Sequence, residues 1–240
     1  MPLQAAKAQV FETWLGVEGG YLHQKIVPMR FTPPVYQTAG GFNSGLSLYY
    51  ADQGSYHLAT FSYSLQNDPT LKPSNIRSFT DRYLSLNIDY EYSYFFLTDI
   101  LDLHLDFGGG PYLFVQNQIS ALMASREIPV EYNDLFYGGA LNLVLRYNHS
   151  EQPLSGRINV VNGGFWGRQE INQQNSSYAD ITANGWLSSV QGRIGYRFNP
   201  NWRGHLQYQW TERVEYSSSQ INRRTLQGVG FGVSYRLEDD

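Results

Sequence analysis

Strict alternation of apolar and polar residues is the feature that most constrains what this chain can fold into. The clearest example is the stretch Leu84 to Tyr94, which reads LSLNIDYEYSY and places an apolar or aromatic residue at every second position. Successive side chains of a β-strand point to opposite faces, so this stretch predicts a strand with one apolar and one polar face. The pattern recurs down the chain and predicts an all-β fold.

Ten stretches of this kind follow one another, with turn-forming or loop-forming residues between them. They cover residues 9–22, 42–50, 56–65, 84–94, 101–115, 134–147, 156–168, 186–198, 202–213 and 225–237. An even number of strands, joined alternately by long and short connections, is typical of a transmembrane barrel. We therefore predict a closed, antiparallel, up-and-down transmembrane β-barrel of about ten strands. Its short turns and both termini would be periplasmic, and its long loops extracellular.

The segments between these strands contain prolines or runs of polar residues, and glycines mark irregular positions. The predicted long loops are 23–40, 66–80, 116–133, 170–184 and 214–223. Alternation is poor near Gly163 and Gly164, which indicates a bulge or bend. The glycine-rich runs 108–110 and 228–232 lie within strands, so they favour barrel curvature or close packing over phosphate binding.

Composition excludes several classes of function. The 240 residues include no cysteine, so the chain has no disulfide framework, thiol nucleophile or thiolate metal site. The formal net charge is −4, without the basic patch that a nucleic-acid partner needs. No run approaches the roughly 18 consecutive apolar residues of a transmembrane helix. A mean hydropathy of −0.40 fits a barrel, because polar lumen residues dilute the apolar ones, but it fits a soluble β protein as well.

The first residues differ in character from the rest. Residues 1–8 are predicted to be an N-terminal tail or the remnant of a signal peptide, because Ala6-Lys7-Ala8 has the small-x-small form of a cleavage site. Residues 9–240 are predicted to form a single barrel domain.

Aromatic residues are concentrated near both ends of the predicted strands. Membrane barrels carry girdles of aromatic residues where amphipathic rings meet the two interfaces. The candidates are Phe11, Tyr50, Tyr94, Tyr147, Phe198, Trp202 and Tyr235 at the short-turn end, and Tyr21, Phe42, Tyr137, Trp186 and Trp210 at the long-loop end.

From Phe11 to Leu237 this pattern resembles the small single-chain outer-membrane β-barrel proteins of Gram-negative-type bacteria. The resemblance rests on the strand pattern and on no single motif. It implies location in the bacterial outer membrane, with outer-membrane lipid and lipopolysaccharide as partners and a protein of an envelope complex as a further candidate partner. Barrels of this class typically end on an aromatic residue, often Phe, that the insertion machinery reads. This chain ends YRLEDD, so Tyr235 or Leu237 would have that role.

Charged residues at the polar positions of the strands form the main candidate site. Acids fall on the first, fourth and fifth predicted strands and bases on the sixth to ninth, near the short-turn end. This lumen charge network consists of Glu12, Asp89, Glu91, Asp102, His104, Asp106, Arg146, Arg157, Arg193, Arg197 and Arg203. Unpaired buried charge is costly, so closure of the sheet should pair the two charged walls and plug the lumen. The alternative is a narrow pore whose charged rings select solutes.

Two other groupings could support catalysis. Asp102, His104 and Asp106 alternate and would share the lumen face of the fifth strand, as an acid–base or metal cluster requires. Arginines on the opposite wall offer these acids ordinary partners, which favours an ion-pair network. At the long-loop end, several polar residues could approach one another and form a hydrolase or acyl-transfer site. Those residues are His23, Asp81, Arg82, Arg168, Thr211 and Arg213.

The sequence favours a monomeric outer-membrane barrel, without enzymatic activity, cofactor or metal, whose lumen is largely plugged by charged side chains. It would act as a structural or binding scaffold, or as an accessory subunit of an envelope assembly, with its loops as the candidate binding surface. A narrow passive channel for small solutes is one alternative, and a lipid- or peptide-modifying enzyme at the extracellular rim is another. A soluble β-sandwich or lipocalin-like binder would require the polar faces to point outward.

Overall fold

The amphipathic stretches pair into a closed ring of strands. The computed structural model describes residues 12–28, 37–51, 54–67, 82–122, 130–149, 152–173, 176–217 and 221–237. The strands are β1 (Glu12–Pro28), β2 (Gln37–Ala51), β3 (Ser55–Asn67), β4 (Arg82–Leu97), β5 (Leu105–Leu122), β6 (Val130–Asn148), β7 (Leu154–Gln173), β8 (Ser176–Asn199), β9 (Trp202–Ser217) and β10 (Ile221–Leu237). Each strand pairs antiparallel with its neighbours in sequence, and β1 pairs with β10. The prediction of a closed up-and-down barrel of ten strands is confirmed. Within these residues, no helix is long and apolar enough to cross a membrane.

The strands are staggered around the ring. Following the ladder partners of Trp14 through all the strands leads back to β1 at Ile26, twelve residues further along the chain. Such a stagger tilts the strands against the barrel axis, as closure of a sheet requires. Residues that meet inside the lumen are therefore far apart in sequence and in strand position.

The apolar faces of the strands point outward. Leu86, Leu143 and Val233 are 36%, 50% and 44% exposed, whereas the inward-facing Glu91 and Asp106 are buried. A soluble sandwich would show the reverse, because its apolar side chains would fill the core. The barrel therefore has the inside-out distribution of a membrane barrel, with apolar side chains outside and ionised ones inside.

Several strands extend further toward the long-loop end than the apolar pattern predicts. β7 and β8 cover most of 170–184, and β9 and β10 cover most of 214–223, so the long loops predicted there are wrong. The loops predicted at 23–40 and 116–133 are shortened in the same way. These extensions contain many polar residues, and backbone ladder bonds hold them in the sheet.

The turn between β4 and β5 also differs from the prediction. Three residues there, among them His104, have φ between 51° and 56°, a region that residues other than glycine rarely adopt and that ends a strand. Residues Ile100–Asp102 form a 3₁₀ turn, and β5 begins after His104. The prediction that Asp102, His104 and Asp106 share one strand face is wrong, because only Asp106 lies on the strand.

The bend predicted near Gly163 and Gly164 is wrong as well. Both glycines keep regular partners, Ala140 and Gly139, in the ladder with β6. The register of β7 shifts near Ile171 instead, in the ladder with β8. Gly163 points inward, where a Cβ would collide with Ala140, so the absence of a side chain allows close packing inside the barrel.

An apolar cluster of inward-facing residues lies on β5 to β8, between the two ends of the barrel. It consists of Tyr112, Phe114, Phe136, Val161, Phe165 and Leu187, all buried. The inward face of β10 carries glycines instead, and neighbouring side chains occupy the space beside them. Leu22 lies against Gly228, and His205 lies against Gly232. Charged residues remain on either side of the apolar cluster, toward the two ends of the barrel.

Candidate functional site: two charged clusters in the lumen

Charged side chains inside the barrel form one cluster at each end. The turn-end cluster lies beside the short turns, near the first residues of β1 and the last residues of β10. The loop-end cluster lies at the other end, on the far side of the apolar cluster. The turn-end cluster consists of Glu12, Glu18, Asp89, Glu91, Asp106, Arg146, Arg157, Arg193, Arg197, Arg203, His205 and Arg236. The loop-end cluster consists of Asp134, Arg213, Glu215 and Arg224.

Glu18 is the centre of one half of the turn-end cluster. Its Oε1 lies 3.3 Å from Arg193 Nη2 and 3.4 Å from His205 Nε2. Arg193 Nη2 also lies 2.8 Å from the His205 ring, and Gln207 donates to Glu18 at 3.3 Å. The glycine at position 232, beside His205, leaves room for the imidazole. This half ties β1 to β8 and β9 across one side of the lumen.

Glu91 is the centre of the other half, and its hydrogen-bond donors are neutral. They are the Tyr56 hydroxyl and the side-chain amides of Asn142 and Asn159, the amides at 2.7 and 2.8 Å. The neighbouring Asp89 accepts a hydrogen bond from the Tyr112 hydroxyl at 2.7 Å. Neutral donors thus satisfy both carboxylates without an arginine partner.

The other two acids of this cluster are bonded to arginines. Asp106 Oδ2 accepts from Arg146 Nε and Nη2 at 3.1 and 2.8 Å. Glu12 lies nearer the rim, 4.0 Å from Arg197 and 3.8 Å from Arg236. The distances to Glu12 are those of loose, hydrated ion pairs, whereas the Asp106–Arg146 pair is tight.

Arg157 and Arg203 have no carboxylate partner of this kind. Within the part of the chain that the structure describes, no carboxylate oxygen lies within 4.0 Å of either guanidinium. Arg157 lies 5.1 Å over the ring of Tyr56, and Arg203 lies 4.4 Å over Trp14 and 4.8 Å over Tyr49. Cation–π contacts hold a guanidinium plane in place without consuming its N–H donors.

The loop-end cluster is balanced in charge and dry. Arg213 Nε and Arg224 Nε share Glu215 Oε1 at 2.8 and 2.7 Å. Arg224 also bonds Asp134 at 3.1 Å and Gln118 at 2.7 Å. None of these side chains belongs to a residue more than 9% exposed. Each arginine therefore has a carboxylate partner away from bulk water, the arrangement that a buried ion pair needs.

These loop-end contacts cross the lumen. Arg224 lies on β10 and Gln118 on β5, and these strands are on opposite sides of the ring. Arg213, on β9, donates to Gln116 on β5 and lies 4.0 Å over the ring of Phe136 on β6. Side chains from opposite walls therefore meet across the lumen at this end.

A cavity of about 400 Å³ lies at the turn end of the lumen. The β6–β7 turn borders it, with Tyr147 and Gln152 among its lining residues. Five arginines of the turn-end cluster line it, but its lining contains a single carboxylate, that of Glu12. The Arg197 side chain is 42% exposed, so the cavity is continuous with solvent at the rim.

The structure places nine of the eleven predicted lumen charges inside the barrel at the turn end. His104 is not among them. It lies exposed in the β4–β5 turn, with its ring 4.0 Å from the ring of His149 and its Nδ1 3.6 Å from Asp99. Its assignment to the lumen is therefore wrong. The backbone of Asp102 belongs to the same turn, and its side chain lies outside the described part of the structure.

Sequence reasoning missed Glu18 and His205, and of the loop-end cluster it named only Arg213, as part of a rim group. The first two occupy lumen-facing positions of predicted strands, so strand register alone could have found them. Glu215 is hidden because 214–223 reads as a loop, and Arg224 because the predicted tenth strand begins one residue later. The spacing of Arg213 and Glu215 was the available signal, since it continues the polar face of the ninth strand by one step.

The residues considered for catalysis at the long-loop rim do not share a face. His23 and Arg168 point outward, whereas Thr211 and Arg213 point into the lumen. Asp81 and the side chain of Arg82 lie outside the described part. Among the described residues, no group of three His, Asp or Glu could hold a metal ion.

Most of the predicted interface aromatics are exposed on the outer wall. These are Tyr21, Phe42, Tyr50, Tyr94, Tyr137, Trp186, Phe198, Trp202 and Tyr235. Trp210 also points outward and is partly buried. The Tyr147 hydroxyl donates to Gln152 in the adjoining turn at 2.9 Å. Phe11 lies outside the described residues.

Solved structures of bacterial outer-membrane proteins resemble this barrel. The outer membrane protease OmpT from Escherichia coli aligns with a TM-score of 0.53 and 11% identity, over 98% of this chain and 99% of that one. The translocator domain of the autotransporter NalP from Neisseria meningitidis has a TM-score of 0.45 and 12% identity, over 93% and 88%. Neisserial surface protein A has a TM-score of 0.43 and 11% identity, over 93% and 97%. No family model and no curated protein matches the sequence. The likeness to OmpT shows a shared fold, and the chain has the fold of a bacterial outer-membrane β-barrel.

Proposed function

We propose that this chain is an integral barrel of a bacterial outer membrane with a closed lumen. It acts as a structural or binding scaffold, or as an accessory subunit of an envelope assembly. The outer wall supports the membrane location, because exposed leucines, valines and aromatic rings are stable only against hydrocarbon. Outer-membrane lipid and lipopolysaccharide are the proposed partners of this wall. The fold shared with an outer membrane protein supports the same location.

The proposed orientation places the short turns and both termini in the periplasm. Barrels of this class have short periplasmic turns and longer extracellular loops. The longest connection, the fourteen residues between β3 and β4, lies at the opposite end from the first residue of β1 and the last residue of β10. The turn-end cluster would face the periplasm, and the loop-end cluster would face the cell exterior.

The cross-lumen contacts at the loop end are the observation that carries the scaffold proposal. Arg213 and Arg224 reach from β9 and β10 to groups on the far wall, and both are buried. The apolar cluster lies directly below them. A conducting pore needs a continuous water path, and cross-lumen ion pairs above packed rings oppose one.

The membrane location is tested by fractionation and by migration on a gel. The full chain, exported in a Gram-negative host, is expected in the outer-membrane fraction. Its unboiled form should migrate faster than its boiled form, because a folded barrel stays compact in detergent. Recovery of the folded protein in solution without detergent would contradict the proposal.

Closure is tested by planar-bilayer conductance. The wild-type barrel is expected to show no large, steady current steps, and Arg224→Ala is expected to produce channel openings because it removes the cross-lumen contact. Arg223→Ala is the matched control, since Arg223 is the next residue on β10 but points outward and pairs with Glu212. Steady nanosiemens-scale steps from the wild type would instead support the channel alternative.

Catalysis is not part of this proposal. The loop-end arginines are ion-paired and His23 lies on the outer wall. The described members of the predicted rim group therefore do not come together in the way that an acyl-transfer or hydrolase site requires.

A further inference from the structure

The lining of the turn-end cavity differs in charge from the cluster behind it. The lining has five arginines and His205 but only one carboxylate, that of Glu12. Glu18 and Glu91 belong to the same cluster but lie outside the lining. Positive charge is therefore presented toward the cavity, while most of the negative charge lies deeper in the wall.

Two of these arginines are oriented but not neutralised by direct contact. Arg157 rests on Tyr56, and Arg203 rests on Trp14 and Tyr49, so aromatic rings fix both guanidinium planes. A guanidinium has five N–H donors, and stacking uses none of them. The nearby Glu91 is already satisfied by neutral donors. In an ion-pair plug these arginines would contact the carboxylates directly, as the arginines of the loop-end cluster do.

We propose that the turn-end cavity binds a small phosphate-bearing anion. Guanidinium groups match the oxygens of a phosphate in bidentate geometry, and such charge-assisted bonds are stronger than neutral ones. An anion seated between Arg157 and Arg203 receives donors from both, with Arg197 at the rim. A volume of about 400 Å³ exceeds that of one phosphate and falls in the range of small-molecule cavities.

A phosphate group could reach this cavity on a soluble ester or on a lipid headgroup. A phosphate monoester from either source offers the same oxyanion to the arginines. The cavity lies inside the ring of strands and not on the apolar outer wall, which favours the soluble ester. The inference goes beyond the proposed scaffold role and does not depend on whether the lumen conducts.

Titration calorimetry of the detergent-purified full chain tests the site. The probes are pyrophosphate and glycerol 3-phosphate, with sodium chloride of equal ionic strength as the blank. Wild-type protein is expected to bind both phosphate probes at one site. Arg157→Gln and Arg203→Gln should each weaken binding by about tenfold or more. Arg223→Gln removes an arginine from the outer wall and should leave the affinity unchanged.

The proposal is overturned if neither probe gives heat above the blank, or if both lumen variants bind as tightly as the wild type. A lumen variant that loses heat-modifiable migration is misfolded and is left out. The titrations of the other variant and of the wild type then test the proposal. The source is resolved by repeating the pyrophosphate titration in phosphatidylcholine vesicles with and without phosphatidic acid. Unchanged binding supports a soluble ester, and loss of binding with phosphatidic acid supports a headgroup in the cavity.

Discussion

The two ends of the lumen handle buried charge in different ways. At the loop end, Arg213 and Arg224 each contact a carboxylate, and the whole cluster is sealed from water. At the turn end, Arg157 and Arg203 stack on aromatic rings beside an open cavity. Glu91 is meanwhile bonded to neutral donors.

The difference separates a structural arrangement from one suited to a ligand. A buried ion pair is stable when each charge has a partner of opposite sign close by, as at the loop end. Arginines held in position without carboxylates leave donors for a group that arrives from outside. The comparison predicts that removal of a loop-end charge mainly harms stability, whereas removal of a turn-end arginine mainly harms anion binding.

The largest effect is expected for Arg224→Ala. It leaves Glu215 and Asp134 buried without one of their partners, which should lower the free energy of unfolding by about 3–5 kcal/mol. The measurement is urea unfolding in lipid vesicles, followed by tryptophan fluorescence. Arg223→Ala, which breaks an outward pair with Glu212, should cost less than about 1 kcal/mol. Equal losses in the two variants would show that the loop-end cluster is not a buried plug.

A smaller but clear loss is expected for Glu91→Ala. The Tyr56 hydroxyl and the amides of Asn142 and Asn159 lose their acceptor inside the barrel, at a cost of about 2–3 kcal/mol in the free energy of unfolding. Glu91→Gln retains an acceptor oxygen and should lose less. The same urea unfolding assay compares the two, and an equal loss in both variants would mean that the negative charge, and not the acceptor oxygen, stabilises this layer.

The membrane-spanning part of the barrel follows directly from the sequence. The stretches 84–94 and 134–147 alternate because one face meets a nonpolar environment and the other meets the lumen, and both form strands as predicted. The start of β8 at Ser176 lies ten residues before the predicted start at Trp186. It cannot be inferred from alternation, because residues 176–185 lack the large apolar side chains that mark one face of 186–198, and ladder bonds hold this extension in the sheet.

The candidate site was only partly predictable, because alternation gives the lumen face of a strand but not the contacts between strands. The lumen face of each strand can be inferred from alternation, which identified residues such as Arg157 and Arg193. The contacts between them depend on the stagger and closure of the ring. Glu18 on β1 meets Arg193 on β8 because of that stagger. The DLHLD run that contains His104 alternates like a strand, yet positive φ values turn the chain there.

Arg157→Gln sharpens the comparison at the turn end. Its loss should cost only about 1 kcal/mol of unfolding free energy, the order of one cation–π contact, because it orphans no hydrogen-bonded carboxylate. Arg146→Gln is the matched variant in the same cavity, and it should cost more because Asp106 loses its direct ion pair. Urea unfolding measures the loss of unfolding free energy in both variants. A larger loss for Arg157→Gln would mean that this arginine has a structural role like that of the loop-end pair.

The smallest effect is expected for Glu91→Gln on anion binding. Its carboxylate lies behind Arg157 and opposes an incoming anion, so neutralising it should tighten pyrophosphate binding by about threefold, the order for screened charges several ångströms apart. Calorimetry at constant ionic strength measures the change, and Glu212→Gln is the control because Glu212 lies on the outer wall. If both substitutions tighten binding equally, the cavity responds only to net charge. A change confined to Glu91→Gln would place the bound anion beside Arg157, close enough to sense the charge of Glu91.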